Sequence, residues 1–88
     1  MVNNAEQSVL HCILKDNELL QEIKLEPEHF LDIRHQRIYK AMQRLNKNNE
    51  IIDVVSLSAQ LGDELLFVGG YDYLNELLHI VAKPEHIY

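Results

Sequence analysis

The sequence predicts an all-α fold, a compact orthogonal bundle of about five to six helices that takes up residues 1–88 as one domain. Three observations carry that expectation. Apolar residues recur three and four positions apart along most of the chain, the spacing that gathers them on one face of a helix. Asp or Asn stands just ahead of several of these runs, and Gly, Pro or an Asn cluster follows them, as start and stop signals do. The 88 residues are 47% apolar and 25% charged, which suits a single small core and neither two domains nor a disordered tail. A chain of this size buries only about 60–65% of the surface it would expose unfolded, so its stability is modest.

The elements follow in order. Val9 and Ile13, then Leu10 and Leu14, recur at i, i+4, with Asn4 placed to cap this first helix and Gln7 three residues on as in a capping box. Cys12 lies between Leu10 and Ile13 and reads as a buried small thiol. Asn17 is placed to cap a short second helix whose apolar side is Leu19, Leu20 and Ile23. "EPEHF" sets Pro27 at a first helical position, where its missing N–H is no loss, and predicts one turn of 3₁₀ character. Asp32 then caps the longest helix, over 33–47, with Ile38, Ala41, Met42 and Leu45 as its buried stripe and "NKNNE" as its end. Asp53 caps a helix that turns Val54, Leu57 and Leu61 inward and closes at Gly62, a residue free to take positive φ. "DELLFVGG" is open to a short strand by its apolar run, but a loop ending at Gly69 and Gly70 is the favoured reading. Tyr71, Leu74, Leu77, Leu78 and Val81 mark a last full helix, broken at Lys83-Pro84. "PEHIY" has the pattern of a further helix opening, so the chain is expected to be a piece of something longer.

Composition excludes several function classes. The formal net charge is −6, a poor basis for non-specific nucleic-acid binding, which draws its affinity from Lys and Arg on phosphates. A lone cysteine cannot form an internal disulfide, and neither a secretory leader nor a membrane-length apolar run is present, so a cytoplasmic home is expected. No P-loop pattern accompanies the three glycines, so no nucleotide hydrolysis is expected of this chain. His11, His29, His35, His79 and His86 lack metal-ligand spacing and read as scattered surface or half-buried residues. Glu26 and Glu28 suit the start of a helix, where they complement its dipole, and Ser56 and Ser58 suggest no triad. No catalytic, cofactor-binding or metal-ligating residue is assigned.

One surface feature stands out. Five of the eight Lys and Arg residues lie in "DIRHQRIYKAMQRLNK", and Arg37, Lys40, Arg44 and Lys47, spaced three, four and three, share one helix face. A solvated face is the commoner meaning of such a run. The functional reading is a docking face for an acidic protein, because no aromatic residue is interleaved to stack on bases.

Taken in order, the segments resemble one family. Glu6, Gln7, Val9 and Leu10 fit its E-Q-x-V-L start; Pro27, Phe30, Asp32, His35, Ile38, Tyr39, Ala41 and Met42 fit P-x-x-F…D-x-x-H-x-x-I-(Y/F)-x-A-(M/I). Asp53, Val55, Ser56 and Leu57 fit D-x-V-(T/S)-(L/V), and Val68, Gly69, Gly70, Tyr73 and Leu74 fit V-G-G-x-x-Y-L. The family is the amino-terminal domain of bacterial and phage replicative DNA helicases of the DnaB type. His11 and Ile33 depart from it, standing where the family often has Gly and Pro. The resemblance implies that Asp32 and Asp53 are caps and that Phe30, Ile38, Met42, Leu57 and Leu74 are core, so these residues specify a fold. It implies an assembly and protein-interaction domain for DNA replication, with other helicase subunits, primase and a helicase loader as partners. ATP and Mg belong to the motor domain of the implied parent, an ATP-dependent helicase. Neither direct nucleic-acid binding nor a membrane is expected. The alternative is a free-standing helical adaptor or inhibitor related to the helicase-binding domain of primase. A Walker A motif further along the coding sequence would decide between the two.

Overall fold

The structure, a computed structural model, describes residues 4–80, and among these it shows five α-helices and no strand. They are α1 (Asn4–Lys15), α2 (Leu19–Glu22), α3 (Ile33–Lys47), α4 (Val54–Leu61) and α5 (Gly70–Leu78), with single 3₁₀ turns at Pro27–His29 and Gly62–Glu64. Each boundary has a local cause. The Asp32 carboxylate accepts the Arg34 N–H at 2.9 Å, satisfying one of the donors that a helix start leaves free. Asp53 and Ser56 form a reciprocal box: Asp53 Oδ1 accepts the Ser56 N–H at 2.7 Å and Ser56 Oγ accepts the Asp53 N–H at 2.9 Å. Pro27 opens its turn, and α3 ends where Asn49 takes φ 60°. Gly62, at φ 55°, closes α4.

α3 is the central element. It packs on α1, α4 and the 27–29 turn, while α5 closes against α1 and α4. Ile38, Met42, Leu57, Leu74, Leu10, Ile13 and Leu77 are fully buried, and Phe30 sets its ring 5.0 Å from that of Tyr39. The radius of gyration, 12.4 Å, is close to the roughly 12 Å expected of a folded chain this long.

Three sequence expectations need correction. Asn17 does not cap α2, which starts after Glu18. Its amide instead donates to the carbonyls of Ile13 and Ile52 and accepts the Ile52 N–H at 2.7 Å, tying the connection before α4 to the end of α1. Asn4 is already helical, and Gln7 reaches not back to a cap but across to the Tyr73 hydroxyl at 3.0 Å. Cys12 is exposed, because Leu10, Ile13 and Leu14 define the inner face of α1 and position 12 falls opposite. Tyr71 is half exposed; it shares the flank of α5 with Leu78, which is itself only partly buried. Val81, the Lys83-Pro84 break and the "PEHIY" segment lie outside the described residues.

The caps make a simple test. Asp32→Ala and Asp53→Ala are each expected to lower stability by about 1 kcal/mol through loss of the cap acceptor. Urea midpoints that stay at the wild-type value in both variants would mean that these contacts do not hold the helix starts.

Candidate docking surface

The cationic stripe is divided by its surroundings. Arg37 is held: its guanidinium donates to Glu64 Oε2 at 2.8 Å and lies 4.9 Å from the centre of the Phe67 ring. Lys40, Arg44 and Lys47 are exposed and make no ion pair among the described residues. Arg37, Lys40 and Arg44 line one wall of a groove, Gln60, Asp63 and Glu64 line the other, and Ala41 and Leu61 form its floor. Leu66 and Phe67, in the loop before α5, are 86% and 50% exposed, and the Phe67 ring lies against Arg37 at the groove.

The histidines do not gather. Among the described residues no group of His, Cys, Asp or Glu is arranged to hold a metal. His11 Nδ1–H donates to the Leu77 carbonyl, His79 Nδ1–H donates to the Asn75 carbonyl, and His29 Nδ1 accepts the Glu26 N–H. His86 lies outside the described residues. His35 differs from the expected surface or half-buried residue: it is fully buried. A carboxylate only accepts hydrogen bonds, so His35 Nδ1–H donates to Glu6 Oε1 at 2.8 Å. In the neutral ring, Nε2 then accepts the Tyr73 O–H at 2.7 Å, and Gln7 donates to the same hydroxyl oxygen. The Leu31 and Asp32 N–H groups also donate to the Glu6 carboxylate. Arg34 covers the Tyr73 ring at 4.7 Å and grips Asp32 at 2.7 Å.

One polar junction therefore joins α1, the start of α3 and α5. Its buried groups have partners on each side, which is what makes burying them tolerable. It holds these three elements together through side chains. Sequence reasoning missed it, although one signal was present: His35, Ile38 and Met42 are spaced three and four and so share the buried face of α3.

The junction has an electrostatic signature. Burial pushes the Glu6 carboxyl up, but the His35 hydrogen bond and the two backbone N–H groups outweigh it and hold the pKa below the ordinary value. The Arg34 side chain, helped by its backbone N–H, brings Asp32 down from 3.8 to about 2 against the opposing effect of burial. Both folded-state values lie below the unfolded ones. The stability they contribute is thus present above the unfolded pKa and is lost as pH falls through the folded pKa. Stability is expected to be level above about pH 5 and to fall towards pH 2, by about 1–2 kcal/mol for Asp32 after allowance for partial solvent screening, with Glu6 acting in the same direction. Asp32→Asn keeps a cap acceptor but removes one titration, so its urea midpoint should fall less steeply between those pH values. An unchanged slope would remove Asp32 from the acid response.

Capped helices around a buried polar junction, with a cationic groove on the outside, define a small all-helical domain. A family model described as the DnaB-like helicase N terminal domain matches residues 2–88, and the chain belongs to that family. The replicative DNA helicase DnaB of Geobacillus stearothermophilus is 39% identical over 88 residues, covering 94% of this chain and 19% of that protein. The crystal structure of the N-terminal domain of DnaB helicase from Mycobacterium tuberculosis matches with a TM-score of 0.84 at 33% identity, covering 89% of this chain and 59% of that one. A structure described as that of a DnaB-like replicative helicase and its interactions with primase matches with a TM-score of 0.80 at 42% identity. That match covers 92% of this chain and 19% of the other, so the chain spans about a fifth of these helicases. The fold expected from the sequence, all-α, and the family resemblance both stand.

Proposed function

We propose that this chain serves as the head domain of a replicative helicase, supporting assembly of the ring and docking primase and the helicase loader in the cytoplasm. The observation that carries the reading is the match along nearly the whole chain to a helicase whose structure was described with its primase interactions. The geometry supports it. The polar side chains that sequence motifs single out are committed to caps and to the Glu6–His35–Tyr73 junction, which leaves the exterior to contacts. No described helix is long and apolar enough to cross a membrane. ATP-driven unwinding, with its Mg, is assigned to the parts of the relatives that this chain does not span. Nucleic acid is not assigned as a direct partner, since the exposed cations face a wall bearing Asp63 and Glu64 on a chain of net charge −6.

The test is a titration of the 88-residue chain against the carboxy-terminal domain of primase by calorimetry, with sedimentation of the chain alone. Saturable binding is expected, with the chain alone sedimenting as a monomer or weak dimer. No heat and no complex at high micromolar concentration would overturn the docking role. A stable hexamer of the isolated chain would mean that this domain closes the ring by itself and does not merely support its assembly.

A further inference from the structure

We infer that the groove between α3 and the end of α4 takes an acidic amphipathic helix of a partner protein. Lys40 and Arg44 read its carboxylates, and the Leu66–Phe67 tip takes its apolar side. The inference rests on the docking role proposed above and assigns it a place and a ligand chemistry.

Charge sorts the groove into parts. Arg37 is neutralised by Glu64 and packed on Phe67, so it shapes the groove and holds the apolar tip beside it. Lys40 and Arg44 have no such partner and stand one helical turn apart, so their charges are available to a ligand. From Arg37 to Arg44 α3 rises about 10 Å, or two turns of a helix laid alongside it. Leu66, at 86% exposure, adjoins Phe67, whose ring packs on Arg37 at the groove, and an exposed apolar side chain there is an anchor of the kind that helix-in-groove recognition uses.

The opposite wall narrows the choice of occupant. Asp63 and Glu64 would repel the continuous phosphates of a nucleic acid, whereas a helix with carboxylates on one flank can turn them to Lys40 and Arg44 alone. A second copy of this chain is a poorer occupant. Glu18, Glu22, Glu26 and Glu28 lie around a four-residue helix and a 3₁₀ turn, and Asp72 and Glu76, an exposed pair on α5, sit on a helix whose Leu74 and Leu77 are already buried in its own core.

The probe is a fluorescent peptide of about 14 residues, long enough for the groove, with Glu at i, i+4 along one flank and Leu along the other. A scrambled peptide of the same composition and a single-stranded oligonucleotide of equal charge accompany it. Anisotropy at low salt should show binding of the patterned peptide, with amide shifts confined to residues 37–44 and 60–67. Lys40→Glu with Arg44→Glu should weaken it at least about tenfold, as should Leu66→Asp, and raised salt should shrink the charge effect. All these positions are exposed, and unchanged circular dichroism serves as the folding control. The inference fails if the groove amides do not move at millimolar peptide, or if the variants or the scrambled peptide bind as well as the originals. It also fails if the oligonucleotide is the tighter ligand there, or if the chain buries the groove by dimerising. Primase binding that survives the double substitution would remove the groove and leave the docking role; primase binding absent from the unaltered chain would remove the role itself.

Discussion

His35→Ala is expected to lower stability by about 3 kcal/mol, through buried polar groups left without partners together with the cavity left by the ring. The substitution leaves three defects at once. Glu6 loses its ring donor, though the Leu31 and Asp32 N–H groups still hold the carboxylate and keep the effect from being larger. The Tyr73 hydroxyl loses its acceptor, and the space of a fully buried ring is emptied beside Phe30 and Tyr73. Tyr73→Phe keeps the ring stack and removes only the hydroxyl, so it should lower stability by about 1–2 kcal/mol through the unsatisfied His35 Nε2. The double variant should be less destabilised than the sum of the two, since both remove the same hydrogen bond. Urea denaturation of the three proteins decides it. Additive effects, or a His35→Ala midpoint near wild type, would mean that the junction is not a coupled unit.

What the sequence could and could not reveal follows from how far each interaction reaches. The starts of α3 and α4 were legible because a cap is made within three residues: Asp32 with Arg34, Asp53 with Ser56. The buried stripe Ile38, Ala41, Met42 and Leu45 was legible because the helical period is itself local. The polar junction was not, since Glu6 and Tyr73 lie 29 and 38 residues from His35 and each looks like an ordinary polar residue in its own segment. Family motifs named all three residues, yet a list of matches does not say that they meet. Asn17 failed as a cap for the same reason: its partner Ile52 is 35 residues away, and a long-range pair outcompeted the local one. Cys12 was a different kind of miss, because the phase of α1 already turned it outward. The cationic stripe was placed on one face of α3, but the division into a clamped Arg37 and unpaired Lys40 and Arg44 depends on Glu64 and Phe67 from a distant loop.

Gly69→Ala is expected to lower stability by about 3 kcal/mol, from two separate causes. The backbone at Gly69 has φ 117°, a conformation that side chains rarely adopt, so any Cβ there is strained. That Cβ would also stand 2.6 Å from Tyr73 Cβ and 2.9 Å from Cγ, well inside van der Waals contact. Relief by moving Tyr73 is blocked, because the hydroxyl is held by His35 and Gln7 and the ring is covered by Arg34. Gly70 provides the internal control: it too has positive φ, 77°, but a Cβ there meets nothing within 4 Å. Gly70→Ala should therefore show the conformational penalty alone, about 1 kcal/mol. The pair separates strain from collision, and a second comparison separates both from the junction. In a Tyr73→Ala background the contact with Cγ disappears and no hydroxyl tethers residue 73, so the backbone can give way at the remaining Cβ contact and Gly69→Ala should destabilise that protein less than it does the wild type. Equal effects of Gly69→Ala in the two backgrounds would show that the close approach to the Tyr73 ring is not what requires glycine here.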